Sequence, residues 1–490
     1  MRRQATSCVS SLVAAVVAVV AVTTGIWPAQ AETPMLLRVA GSGIDIVRMP
    51  PGPSPSSGQP PIITPVSPQV PVPAPPQPVV PTPAPPSPIR PAQPLGRLLK
   101  LPARIGSLSS DGQKGWLGVR MDPLELPLAL SLGLLNANGA IIIEATAGGP
   151  AAQAGIRFGD VIVAYNGKTV DSMNELRQRV LATTPGTEAS MDVWRVGGDD
   201  GDFLQTLRRL GDGGNAYIMY RLGRIYGTGT GVARDEIEAV RWYRKGANAG
   251  NLNAMAALGI ALLDGRGTDK DPQEAARLLK AASDKDNLDA MYRLAVLHVQ
   301  GLEGVVAKDA LEAVRLFTKA AEAGHTPAMV DLGLMFNNGQ GVQTDMVRAA
   351  QWYKKAADLG NSYGMVNLGF LHQQGKGVEK DDVAAVNLYR RAANDGNPAG
   401  IHNLAAMYDS GRGLDRKDPE QAADLMLRAL ELRNNFSYMQ MTQRSNNWSR
   451  GFRLAMQRKL QEAGFYSGRI DGAFRESTIA AINAYINRNR

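Results

Sequence analysis

A chain of 490 residues is too long for a single hydrophobic core, so several domains are expected. The one cysteine is Cys8, just ahead of an apolar N-terminal run, so the chain downstream of that run has no disulfide, no Cys-ligated zinc and no thiol nucleophile. The net charge is +8, and residues 434–490 hold nine Lys/Arg against three Asp/Glu, an excess of six, so the middle of the chain is near neutral and an anionic polymer would be met at the C-terminal end, unless that basic face is simply solvated.

Arg2 and Arg3 precede a nearly all-apolar run from Val9 to Trp27, and Ala29-Gln30-Ala31 supplies the small residues of a cleavage site before Glu32. Residues 1–31 therefore read as an export signal cut after Ala31, with Ala29 and Ala31 as the recognised positions. The apolar run is also long enough to span a bilayer, so an uncleaved membrane anchor is the alternative. Residues 32–112 read as a Pro-rich disordered linker, since 20 of the 31 prolines fall between Pro50 and Pro94. Proline lacks the amide and restricts its predecessor. The 45 residues of that stretch form a polyproline-type spacer of at most roughly 140 Å, at about 3.1 Å per residue.

Residues 113–197 bring Gly115-Trp116-Leu117-Gly118-Val119, then a long run from Gly149-Pro150-Ala151-Ala152 through Gly159-Asp160-Val161-Ile162 to Asn166-Gly167. A helix follows over Met173–Leu181, with Met173, Leu176 and Val180 on one face, and Ser190–Val196 alternates as a strand. This order resembles the PDZ domains of Deg-type envelope proteases. The resemblance implies an α/β domain that captures protein C-termini. Amides of Leu117, Gly118 and Val119, in the loop opened by Trp116, would form an anion nest for the carboxylate. The peptide would add as a strand along Val119 to Met121, with Leu176 and Val180 walling its pocket. The alternative is that these apolar residues are core alone. The protease activity does not carry over: the linker stands where a trypsin-like domain would, all four histidines lie further along, and no Gly-x-Ser-x-Gly occurs.

Leu222, Leu258, Leu294, Leu332, Leu368 and Leu404 recur at intervals of 36, 36, 38, 36 and 36 residues. Each is followed by Gly or Ala and, seven residues on, by Gly229, Gly265, Gly301, Gly339, Gly375 or Gly411. Each unit reads as helix, Gly-rich loop, helix, with the loop glycines at positive φ. One helix pair cannot bury its apolar stripe, whereas stacked pairs can. Residues 202–432 thus form an all-α solenoid of about six α/α repeats with a cap helix at Phe203–Leu210. The pattern resembles the Sel-1-like repeats, relatives of the tetratricopeptide repeats, which implies protein or peptide partners. The third repeat departs, its loop lengthened by Gly301-Leu302-Glu303-Gly304-Val305. His298, His325, His372 and His402 sit at repeat positions and read as packing residues.

Residues 446–490 give a small all-α module: a helix through Leu460, Gly464-Phe465-Tyr466, then Asp471-Gly472-Ala473-Phe474 and a helix over Thr478–Tyr485. It resembles the peptidoglycan-binding-like domain of many wall enzymes, departing at Arg475, where that family usually has Gly. The resemblance implies a shallow wall-binding surface with Tyr466, Arg469 and Arg475 as candidates. A docking or capping role is the alternative.

The expectation is a multidomain, non-enzymatic adaptor exported to the periplasm. Its partners would be protein C-terminal peptides, envelope proteins and peptidoglycan, with the membrane only if the signal is uncleaved, and no nucleic acid. No catalytic residue, metal ligand or cofactor site is expected. Other readings are a regulator of an envelope protease or stress pathway, and an enzyme with an unfamiliar site.

Overall fold

The computed structural model describes residues 35–40, 43–48, 96–108, 114–197 and 203–488. The expected export signal with Ala29 and Ala31, and the expected spacer from Pro50 to Pro94, lie outside these residues. A two-stranded antiparallel hairpin pairs β1 (Met35–Ala40) with β2 (Gly43–Arg48). The chain divides into two compact units, residues 53–271, and residues 272–490 with 1–52; the boundary falls inside the second repeat.

In the first unit an antiparallel sheet runs in the order β3 (Gly96–Arg104), β10 (Glu188–Val196), β8 (Val161–Tyr165), β7 (Ala140–Ala145), β6 (Val119–Pro123), and β9 (Lys168–Thr169) pairs with β8. The short strands β4 (Gly106–Ser107) and β5 (Gly115–Trp116) pair beside it. Here the expected boundary at residue 113 is corrected. β3 pairs with β10 along its whole length, from Gly96 to Arg104. Leu99, Leu101, Ala103 and Ile105 alternate toward the core, and Ala103 and Ile105 are buried. Pro102 is tolerated because β3 is an edge strand.

The sheet buries both faces. One parity of its residues, Ile142, Ile162, Met191 and Val193, packs with Leu117, Leu176 and Val180 under helix α3 (Met173–Leu181). The helix occupies the expected residues, and Ser172 caps it by accepting from the Glu175 amide. The opposite parity, Ile141, Val161 and Val196, packs with Leu128, Ala129 and Leu132 of α1 (Leu126–Ser131) and its C-terminal flank, and with Phe203 and Leu207 of α4 (Phe203–Asp212). The same core continues into α5 (Ala216–Thr228) and α6 (Glu236–Asn248), the first repeat. A short α2 (Pro150–Gln153) and α7 (Leu252–Asp264), which opens the second repeat, complete the unit.

The second unit begins with α8 (Pro272–Ser283). The remaining repeats are α9 (Leu288–Gln300) with α10 (Ala310–Glu322), α11 (Thr326–Asn338) with α12 (Met346–Asp358), α13 (Ser362–Gln374) with α14 (Asp382–Asn394), and α15 (Pro398–Ser410) with α16 (Pro419–Glu431). Where glycine follows the repeat leucine at 223, 333 and 369, it admits a tyrosine of the partner helix: a Cβ on Gly333 would meet the Tyr353 ring at 2.5 Å. The loop glycines take positive φ, 66° at both Gly339 and Gly375, and end the first helix in a left-handed cap in every repeat but the third, where Gly301 pairs φ 73° with ψ 152°. The lengthened third loop closes on itself through a bridge between Leu302 and Val306. The chain ends in α17 (Asn435–Gln443), α18 (Arg450–Glu462) and α19 (Glu476–Asn487).

Candidate functional site

β6 is the edge of its sheet, pairing only with β7 among the described strands. The loop before it is held by its carbonyls: Leu117 O accepts from the Ala151 amide and Gly118 O from the Thr146 amide, at 2.9 and 2.8 Å. Among the described residues neither the Leu117 nor the Gly118 amide donates to a backbone carbonyl. Gly118 has φ +75° and lies against the Trp116 indole and Pro150, so the half-buried Trp116 props the loop from behind. The arrangement leaves two successive amides available beside an unpaired strand edge, which is what an anion nest with strand addition needs.

Leu117, Val119, Met121, Leu176 and Val180 meet in one apolar cluster between β6 and α3. Their exposures divide the roles. Leu117, Leu176 and Val180 are buried at 2, 0 and 7 %, so they form the floor of the groove, and Leu176 is core. Val119, Met121 and Met173 are half-buried and line its mouth. Met173 joins the set through the helical spacing already read.

One internal ion pair went unnoticed. Arg195 Nε and Nη2 donate to Asp160 Oδ1 and Oδ2 at 2.8 and 2.6 Å, with 8 % of the arginine side chain and 2 % of the aspartate exposed. Arg195 also donates to Gly155 O, and the Arg157 amide donates to Asp160 Oδ2. The signal was in the pattern: Ala189, Met191, Val193 and Arg195 share the inward parity of β10.

In the second unit the C-terminal module differs from expectation at Tyr466. The ring is 5 % exposed, and its hydroxyl donates to Arg469 O at 2.9 Å. Tyr466 therefore organises the loop from within and offers no stacking face. The hub is Gln457, fully buried: its Nε2 donates to Ala473 O at 3.0 Å and Thr478 Oγ1 at 3.2 Å, and its Oε1 accepts from the Asp471 and Gly472 amides at 3.0 and 2.8 Å. Arg475 is spent on Asp471 at 2.7 Å. The Ala473 amide, then Arg475, hold the Asp471 carboxyl down to about 2. Arg469 is exposed.

The module also shares its core with the last repeats. Trp448, Phe452, Met456 and Ile482 cluster with Tyr389, Ile401, Met426 and Leu430. His402 is buried, edge-on to Phe436 and Trp448, with Nδ1 2.9 Å from Ser437 Oγ; burial pushes its pKa down to about 3. The other histidines hold backbone. His325 Nδ1 accepts from the Ala328 amide as a helix cap, and His298 and His372 reach the carbonyls of Ala307 and Glu379. Among the described residues no His/Cys/Asp/Glu cluster has the makings of a metal site.

The PDZ domain family matches residues 141–195, and the Sel1 repeat family matches 216–251, 252–287, 288–325, 326–361, 362–397 and 398–434. The chain carries a PDZ domain and six Sel1 repeats. Both are interaction modules. Curated relatives include probable periplasmic serine endoproteases DegP-like of Rhizobium meliloti, 45% identical over 95 residues (19% of each chain), and of Brucella suis, 45% identical over 83 residues (17% of this chain, 16% of the other). The chain spans about a fifth of the length of these relatives, and their protease domain is not matched. Solved structures include a Sel1 repeat protein from Oxalobacter formigenes, 28% identical, covering 46% of this chain and 90% of that one with a TM-score of 0.43. Another is a protective antigen of uropathogenic Escherichia coli displaying an SLR fold, 26% identical, covering 58% of this chain and 64% of that one with a TM-score of 0.43.

Proposed function

We propose that this interaction scaffold works in the bacterial envelope, taking the free C-termini of proteins in its PDZ groove while the Sel1 repeats hold partner proteins. The observation that carries the reading is the pairing of a free strand edge at β6 with two unengaged amides at Leu117 and Gly118, above an apolar floor. The envelope location rests on the export-type N-terminus and on the likeness to DegP-like periplasmic proteases. The test is fluorescence polarisation of the intact protein with peptides bearing a free or an amidated C-terminus. Free acids should bind at least tenfold more tightly; equal binding defeats carboxylate capture.

A second reading concerns residues 446–490. Their shared core with the last repeat supports a role in closing the solenoid. Attachment to peptidoglycan is the further proposal, resting on the family likeness and on exposed Arg469. Co-sedimentation with purified sacculi tests it: Arg469→Glu should reduce pelleting, and a variant that pellets like the parent removes Arg469 from the site.

A further inference from the structure

The free edge of the PDZ sheet leads directly to the first repeat. β6 runs from Val119 to Pro123, and the chain continues through Leu124 and Glu125 into α1. A peptide whose carboxylate sits at the Trp116–Gly118 loop points toward that loop, whereas β6 runs away from it. The two are therefore antiparallel, and the upstream part of the peptide travels toward Pro123. At ~3.4 Å per residue for both strands, β6 accommodates about the last five peptide residues. Residues further upstream leave the strand at Pro123, the end of β6 from which the chain turns into α1.

That helix presents an apolar surface its own fold does not use. Leu126 and Leu130, one turn apart, are 50 and 56 % exposed. The opposite face of α1 is consumed: Leu128 and Ala129 are buried in the core shared with α4 and α5. The first repeat also fixes α1 by polar contacts. The Tyr217 hydroxyl donates to Glu125 Oε2 at 2.6 Å, Arg221 reaches Glu125 Oε1 at 3.5 Å, and Asn215 Nδ2 donates to Ser131 Oγ at 3.1 Å. The leucine pair thus sits on a helix that continues directly from β6 and is held by a domain outside the PDZ fold. A rigid apolar step in line with a peptide path is a second anchoring point, because its desolvation adds affinity without ordering new chain in the receptor.

We infer that α1, braced by the first Sel1 repeat, is a second subsite for the ligand of the PDZ groove. It takes an apolar side chain about five to eight residues upstream of the free carboxylate, a distance set by the length of β6. The ligand class is accordingly an extended C-terminal tail of at least about eight residues, not a terminal tripeptide or tetrapeptide. This inference rests on the groove being a C-terminus receptor.

The experiment uses the intact protein and fluorescein-labelled peptides. An array of free-acid tetrapeptides, varied at the last two positions, supplies the tightest terminal sequence. That sequence is extended to decapeptides in a Ser/Gly background, with either Leu or Ser at positions five to eight from the end. The Leu decapeptides should bind about tenfold more tightly than the Ser ones, the ~1.4 kcal/mol expected of a partly buried leucine. Leu126→Ser with Leu130→Ser should abolish that advantage and leave tetrapeptide affinity and the unfolding midpoint unchanged, since both side chains already face solvent. Equal binding of Leu and Ser decapeptides, with the free-acid tetrapeptide still preferred over its amide, overturns the second subsite and leaves the groove reading intact. If amidation has no effect either, the groove reading fails and the subsite fails with it.

Discussion

Asp160 is a position where one substitution should cost the PDZ domain heavily. Its carboxylate and the Arg195 guanidinium are almost entirely withdrawn from water and bonded twice, and the Arg157 amide adds a third bond at 2.9 Å. Asp160→Ala leaves a buried guanidinium whose remaining bond is to Gly155 O, and opens the turn at Arg157. Breaking a buried pair from one side costs about 3–5 kcal/mol, a large part of the roughly 5–15 kcal/mol that holds a domain together. Removing both charges is a different perturbation. Asp160→Leu with Arg195→Met leaves no charge unpaired, and only the Arg157 amide and the Gly155 carbonyl lose a partner, so the double variant should recover most of the loss. The assay is hydrogen exchange of the β8 and β10 amides, which reports the sheet itself and not the whole chain. Asp160→Ala should lower their protection by about two to three and a half decades, the exchange equivalent of that energy. A loss under about one decade, or a double variant less protected than the single, would refute the claim that the pair is uncompensated when broken.

Three further outcomes are expected. His402 takes up a proton only near pH 3 when folded and near about 6.5 when unfolded; stability is therefore full above about 6.5 and declines as pH falls toward 3, by ~1.4 kcal/mol per unit at most. Urea midpoints followed from pH 7 to 5 should show this slope, and His402→Phe should flatten it; an unchanged slope removes His402 as the cause. Gln457→Ala leaves the Asp471 and Gly472 amides without their acceptor, which should cost about 2–4 kcal/mol and deprotect the 471–478 loop in exchange; a shift below about 0.5 kcal/mol says water replaces the side chain. A fragment starting at residue 113 lacks β3 and the buried Ile105 and Ala103, at least about 3 kcal/mol of burial and ladder together. It should expose its core to a hydrophobic dye, while one starting at residue 95 should not.

Repetition made the solenoid easy to read, because a pattern met six times overrules any one ambiguous segment. Even so, its strongest local signal was passed over. Asn215, Asn251, Asn287, Asn361 and Asn397 cap the first helices, and Asp235, Asp309, Asp345, Asp381 and Asp418 cap the second. Each accepts an amide of the first turn, so helix starts were fixed in the sequence to the residue. β3 was missed for a different reason. Pro102 and the neighbouring proline run hid the alternation of Leu99, Leu101, Ala103 and Ile105, although an edge strand accommodates proline. Leu117, Val119, Met121, Leu176 and Val180 fall in one cluster, but sequence cannot divide floor from mouth: Leu176 and Met173 lie on the same helical face, and only packing shows that one is sealed and the other half open.

Tyr466 and the basic C-terminus show why a local window misleads about surfaces. The excess of six positive charges over 434–490 suggested an open field for an anionic polymer. Yet the acids that answer much of it lie outside the window or within the loop itself. Arg458 pairs with Glu420, Lys459 with Asp424 at 2.7 Å, and Arg488 with Glu431, all three acids on α16 of the last repeat. Arg475 pairs with Asp471, and Arg453 is turned inward onto the carbonyls of Gly472 and Trp448, both at 2.6 Å. Five of the nine basic side chains are thus committed to holding the module to the repeat or to shaping its loop. Charge of this kind attracts little at a distance, because each pair is locally neutral and the remainder is screened beyond about 8–10 Å. Arg458, Lys459 and Arg488, which count toward a basic surface in the sequence, fit better as one side of an internal interface, with α16 supplying the other.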